Sequence, residues 1–123
     1  TLACQLRSPH TVQIYDFGTT ENNLPYYAME YVPGFDLATV VERSGPLPAP
    51  RVIHILRQAA ESLDEAHSRQ LIHRDIKPQN VMLSEIGSRA DVVKVLDFGL
   101  AKAIPQPGDK ESQLSLVAGT PAY

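Results

Sequence analysis

Cysteine occurs only once in this chain, at Cys4. No internal disulfide can therefore staple the fold, and the protein suits a reducing compartment, the cytoplasm. The lone thiol reads as a small packed residue rather than a reactive one. Long apolar runs are equally scarce: none approaches the ~20 residues that a membrane helix needs, and the N-terminus lacks the pattern of a signal peptide. An excess of positive charge is missing too. Eleven Lys and Arg stand against fourteen Asp and Glu, for a net charge of −3, which excludes nucleic acid as a main partner. There is no internal repeat and no low-complexity tract.

What is present is an ordinary globular composition, 43% hydrophobic and 20% charged over 123 residues, enough for one modest domain. The chain opens at Thr1 inside what reads as a helix end and stops at Tyr123 without a closing element, so both ends are expected to be cuts. Leu2 to Leu6 reads as the last turn of a helix, broken at Ser8-Pro9. Val12 to Phe17 alternates as a strand does, with Val12, Ile14 and Asp16 on one side. Gly18 through Asn23 supplies turn residues, and Tyr26 to Tyr31 is the returning strand. Pro33-Gly34 breaks it.

Asp36 is a plausible N-cap for a short helix to Arg43 that ends at Ser44-Gly45. A Pro-rich connector then leads into the strongest helical pattern, Pro50 to Ser68. There Val52, Leu56, Ala59, Leu63 and Ala66 recur at three- and four-residue spacing as one apolar stripe. Leu71-Ile72 opens an irregular loop, and Val81 to Leu83 and Val92 to Leu96 are expected as short strands around a polar turn.

The stretch that carries chemistry is His73-Arg74-Asp75-Ile76-Lys77-Pro78-Gln79-Asn80, followed by Asp97-Phe98-Gly99. It matches the general template for phosphoryl transfer by protein kinases, in which the enzyme positions the reactants and neutralises phosphate charge. On that match Asp75 orients a substrate hydroxyl and accepts its proton, and Lys77 places a point charge near the phosphoryl group in transit. Asn80 and Asp97 offer hard oxygen ligands of the kind Mg²⁺ takes. They flank the expected strand pair, whose turn brings them together, while Gly99 allows a sharp backbone turn beside the metal. His-Arg-Asp alone is a weak signal. The full run, with Lys two and Asn five residues after Asp75 and a downstream Asp-Phe-Gly, is a strong one. Asp16-Phe17-Gly18 spells the same triplet with no catalytic loop before it, and reads as turn chemistry.

On these residues the whole chain resembles the eukaryotic-type protein kinase superfamily. Lys77 is similar to the Ser/Thr-specific pattern, and Met29-Glu30-Tyr31-Val32-Pro33-Gly34 with Gly119-Thr120-Pro121-Ala122-Tyr123 resembles bacterial members. The resemblance implies an incomplete two-lobed α+β kinase fold: small-lobe strands over 1–31, a hinge over 32–35, and part of the large lobe over 36–123. It implies ATP and Mg²⁺ as cofactors and a protein partner offering a Ser or Thr hydroxyl. Met29 becomes the gatekeeper of the adenine pocket, Glu30 and Val32 offer hinge backbone groups to adenine, Asp36 reaches the ribose, and Met82 floors the pocket. Without a nucleotide, Met29 and Met82 are simply core residues and Asp36 a helix cap.

Ile14, His73 and Phe98 match a stacked spine, which makes His73 structural rather than a base; His10, His54 and His67 fit no ligand spacing. Arg74 matches the arginine that pairs with a phosphorylated activation loop. Ser112 and Ser115 are candidate phosphosites or plain loop polarity, and Thr120 resembles the threonine that contacts the catalytic loop.

Two departures stand out. Gln70 occupies a position where the family usually has Gly, at a cost of about 1 kcal/mol in a left-handed conformation. The Ser84 to Asp91 turn is longer than usual. The chain holds no Gly-rich loop, no Val-Ala-Ile-Lys strand and no Ala-Pro-Glu segment, so by itself it is expected to be inactive, and unstable because its long helix lacks partners to bury its stripe. A kinase-like scaffold that binds partners without transferring phosphate is the rival reading, although no catalytic residue of the covered region is lost. A small-molecule phosphotransferase lacks Lys77-Pro78 and the Gly-Thr-Pro ending. Oligomeric state is not legible.

Overall fold

The computed structural model describes residues 2–98, so the expectations placed on Gly99, Ser112, Ser115, Thr120 and the Gly119 to Tyr123 run lie outside the described residues. A 3-10 turn, Leu2–Gln5, precedes the hairpin of β1 (Ile14–Thr19) and β2 (Pro25–Met29). Then come β3 (Phe35–Asp36), α1 (Leu37–Ser44) and α2 (Ala49–Ser68). A second 3-10 turn, Pro78–Asn80, leads into β4 (Val81–Ile86), which returns as β5 (Arg89–Val95). The strands form two antiparallel sheets, β1-β2 and β3-β4-β5.

Local chemistry sets the helix limits. Asp36 caps α1 as the sequence predicts: Oδ1 accepts from the Thr39 N–H at 2.9 Å and Oδ2 from the Thr39 hydroxyl at 2.7 Å. These donations, the backbone one first, hold its carboxyl below the usual carboxylate value. Gly45 ends the helix with φ 74°. α2 starts over Pro50, whose missing N–H costs nothing in a first turn. It ends where Gln70 takes φ 60°, and the Leu71 N–H closes back on the Ala66 carbonyl at 2.9 Å. Gln70 therefore adopts the left-handed conformation expected of it without being glycine.

The core lies between α2 and one face of the three-stranded sheet. Ile55, Ala59 and Ala66 pack with Val81, Leu83, Val93, Val95 and Phe98, each large aliphatic contributing about 1.5–3 kcal/mol on burial. The helix stripe has a different phase from the one expected. Ile55, Ala59, Ser62 and Ala66 are buried, whereas Leu56 is 58% exposed and Leu63 lies only at the margin of the core. Both stripes share Ala59 and Ala66, and the polar Ser62 masked the true one. Its hydroxyl pairs with that of the buried Thr11 at 2.6 Å, so the polar atom enters the core satisfied.

Other boundaries also shift. The opening turn is 3-10 rather than α-helical. Val12 lies outside β1, bonding instead from its N–H to the Val95 carbonyl at 3.0 Å, while the Val95 N–H reaches the His10 carbonyl at 2.8 Å. A register shift between Ile14 and Asp16 breaks the expected alternation. Asp16-Phe17-Gly18 is strand, and the turn sits at Thr20 to Leu24, closed by the Thr20 N–H on the Leu24 carbonyl at 2.8 Å. β2 ends at Met29 rather than Tyr31. β4 and β5 are longer than expected, so the extra residues between Ser84 and Asp91 extend the ladder rather than the turn. Among the described residues no helix is long and apolar enough to cross a membrane.

Candidate active site

α2 delivers the chain into an irregular loop that ends in the 3-10 turn Pro78–Asn80, and β4 and β5 then carry it away and back. Because Val81 pairs with Val95, the two ends of this excursion lie side by side, and the Leu96 N–H donates to the Asn80 carbonyl at 2.9 Å. The strand pair thus brings Asn80 beside Leu96, the residue before Asp97.

Asp75, Lys77 and Asn80 converge directly. Lys77 Nζ lies 3.2 Å from Asp75 Oδ2. Asn80 Nδ2 donates to the Asp75 carbonyl at 2.9 Å and to its Oδ2 at 3.3 Å. One carboxylate oxygen is therefore held by a cation and an amide together.

The backbone around this cluster is strained in two places that sequence reasoning missed. Arg74, next to Asp75, has φ 67°, and Asp97 has φ 59°. A left-handed non-glycine residue costs about 1 kcal/mol or more. His73 braces both. It is buried, with Nε2 donating to the Leu96 carbonyl at 2.6 Å while Nδ1 accepts the Asp75 N–H at 3.1 Å. Those roles require the neutral Nε2–H tautomer. Burial, opposed only in part by the Leu96 carbonyl and the Asp75 and Asp97 charges, pushes the imidazole below its ordinary value. Its ring meets Phe98 edge-on at 4.6 Å, and Ile14 packs against the same core. His73 is structural, as its sequence position implies.

The expected adenine-side residues occupy the far end of the hairpin and the link to β3. Met29 closes β2 and is partly exposed. The Glu30 carboxylate accepts from the Gln13 N–H at 2.9 Å and from Lys94 Nζ at 2.7 Å, which ties the end of the hairpin to β5. Val32 is half-buried, and Met82, also half-buried, faces Asp36 across the β3-β4 ladder. Gly34, at φ 122°, crosses β4 so closely that a Cβ there would lie 2.1 Å from the Leu83 carbonyl oxygen. The neighbouring Ser84 hydroxyl donates to the Pro33 carbonyl. Lys94, Ser84 and Tyr27, whose hydroxyl donates to Asp97 Oδ1 at 2.9 Å, are site-shaping residues that the sequence reading did not find.

The donors present suit a hard divalent cation. With Nδ2 committed to Asp75, Asn80 keeps its amide oxygen as a ligand atom, and Asp97 has one carboxylate oxygen outside the Tyr27 bond. Among the described residues no group of three or more His, Cys, Asp and Glu gathers around one point. Mg²⁺ is held in the same sparse way, by one or two protein oxygens with phosphates and water completing the octahedron.

The whole chain, residues 1–123, matches the family described as Protein kinase domain. The chain belongs to the protein kinase family. It is similar to the serine/threonine-protein kinase pkn3 of Myxococcus xanthus, 40% identical over 98% of this chain and 22% of that protein. It is equally similar to the serine/threonine-protein kinase PknB of Mycobacterium tuberculosis, 40% identical over 98% of this chain and 19% of that protein. The chain thus spans about a fifth of the length of these curated relatives. Among solved structures, the Mycobacterium tuberculosis PknI kinase domain superposes with a TM-score of 0.71 at 35% identity, over 80% of this chain and 39% of that one. Rad53 1–466 in complex with AMP-PNP superposes with a TM-score of 0.72 at 30% identity, over 80% of this chain and 26% of that one. The kinase fold of the described part and its likeness to bacterial Ser/Thr kinases agree with the expectations from sequence.

Proposed function

We propose that the protein containing this chain is a Ser/Thr protein kinase that transfers the γ-phosphoryl group of ATP to protein hydroxyls. The observation that carries this reading is the convergence of Lys77 and Asn80 on Asp75 Oδ2, beside the strand end that bears Asp97. Asp75 orients the acceptor hydroxyl and takes its proton as the oxygen attacks phosphorus. Lys77, already at the carboxylate, stands ready to neutralise charge on the phosphoryl oxygens. Asn80 and Asp97 hold Mg²⁺, which when bound shields the phosphate charges. His73 keeps both loops in register and moves no proton.

Met29, Glu30, Val32 and Met82 form the adenine side of the cleft, and Asp36 adds a ribose contact to its capping role. The AMP-PNP complex of the similar Rad53 chain supports an adenine nucleotide here. Residues 1–31 supply small-lobe strands, 32–35 the hinge and 36–123 part of the large lobe. The unpaired thiol of Cys4 fits the cytoplasm. The isolated 123-residue chain, without a Gly-rich loop, is inactive.

The test is transfer from γ-labelled ATP to a generic protein substrate by the complete kinase and by its Asp75→Asn variant. The variant is expected to lose roughly a hundredfold or more in kcat with little change in nucleotide affinity. A variant as active as the parent would refute the assignment.

A further inference from the structure

Tyr27 lies on β2, two residues before Met29 and so on the same face of the strand. Its phenol reaches across to a residue seventy positions away in sequence: the hydroxyl donates to Asp97 Oδ1 at 2.9 Å. This bond and the Glu30–Lys94 contact join the hairpin to the strand that ends beside the metal ligands. Among the described residues Asp97 Oδ2 accepts no hydrogen bond, while Oδ1 is held by the phenol. The carboxylate belongs to a residue in a left-handed backbone conformation, where the side-chain direction is not set by a regular strand or helix. An O–H donor to a carboxylate is among the stronger neutral-donor bonds, and here it supplies the orientation that the backbone does not.

We propose that Tyr27 is a positioning residue for the phosphoryl-transfer reaction. By holding Oδ1 it turns Oδ2 toward the place of the divalent cation, so that the ligand is oriented before metal and nucleotide arrive. The inference rests on the reading of Asp97 as a metal ligand and adds to it a hydrogen-bond partner of the kind that conditions metal affinity. It also assigns the hairpin a function besides shaping the adenine cleft: it registers the small-lobe strands against the metal site through one phenol.

The experiment is Mn²⁺ binding to the complete kinase with a non-hydrolysable ATP analogue, read from the free-Mn²⁺ paramagnetic resonance signal. Adenosine binding and melting temperature are followed in parallel. Tyr27→Phe removes one oxygen and keeps the ring. It is expected to weaken Mn²⁺ roughly tenfold while adenosine affinity and melting temperature stay at parent values. Asp97→Asn is the arm for the underlying reading and is expected to weaken Mn²⁺ by more than Tyr27→Phe does. If Asp97→Asn binds Mn²⁺ as the parent does, the metal assignment fails and the inference with it. If Asp97→Asn is impaired but Tyr27→Phe matches the parent, only the role of Tyr27 is overturned. Parallel loss of Mn²⁺ and adenosine binding in Tyr27→Phe would likewise overturn it, since that pattern belongs to a general structural residue.

Discussion

The β1-β2 hairpin and the β4-β5 pair are built from similar residues yet sit in opposite environments. Every residue of β2 is exposed, and Tyr15, Phe17 and Leu24 of the hairpin also show their rings or chains to solvent. Val93 and Val95 of β5 have no accessible surface, because α2 covers them. The loop that carries Asp75, Lys77 and Asn80 is thus fixed by a region that carries its own core. The hairpin and the residue after it instead reach the end of β5 through side-chain contacts, Tyr27 to Asp97 and Glu30 to Lys94. The buried core and the Asp75, Lys77 and Asn80 cluster lie together in the α2 and β3-β4-β5 half, while the hairpin half has little core of its own.

That contrast can be broken most forcefully at its seam. Gly34→Ala places a methyl group against the Leu83 carbonyl in a backbone conformation that L residues avoid. It is expected to cost more than about 3 kcal/mol, measured by denaturant unfolding of the complete kinase. A loss below about 1 kcal/mol would mean that the Pro33-Gly34 segment does not depend on close passage over β4. At the other extreme, Leu24→Ser at the exposed hairpin turn is expected to shift the same measurement by no more than about 0.5 kcal/mol. A larger loss would show that the hairpin is buried against something and that the two regions are less different than they look.

How much of this was legible in the sequence follows from the range of the forces involved. Asp75, Lys77 and Asn80 lie within six residues, so their spacing alone forecasts their meeting. The cap at Asp36 and the left-handed turn at Gln70 were readable for the same reason. The phase of α2 was not, because two stripes share Ala59 and Ala66. Only the position of the sheet, with Thr11 waiting for Ser62, selects between them. The two-residue β3 was missed since its pairing with β4 is non-local, and Pro33-Gly34 reads simply as a break. Tyr27, Lys94 and Ser84 left no signal, because each acts on a partner far away in sequence. The left-handed backbone at Arg74 was equally hidden, as Arg does not announce one, and at Asp97 the residue type tolerates the conformation without requiring it.

The central claim is that one neutral, buried imidazole braces two strained turns, by bonding the Asp75 N–H and the Leu96 carbonyl together. It is tested most directly by ¹⁵N resonance of the His73 ring in the complete kinase across pH. The account predicts the Nε2–H tautomer, with the ring staying neutral to below the ordinary histidine value of about 6.5. Between the depressed folded value and that ordinary one the unfolded chain binds more protons. Stability from this group is therefore full above about pH 6.5 and is lost as pH falls through the folded value. A His73 ring that titrates at its ordinary value, or that carries its proton on Nδ1, would contradict the account.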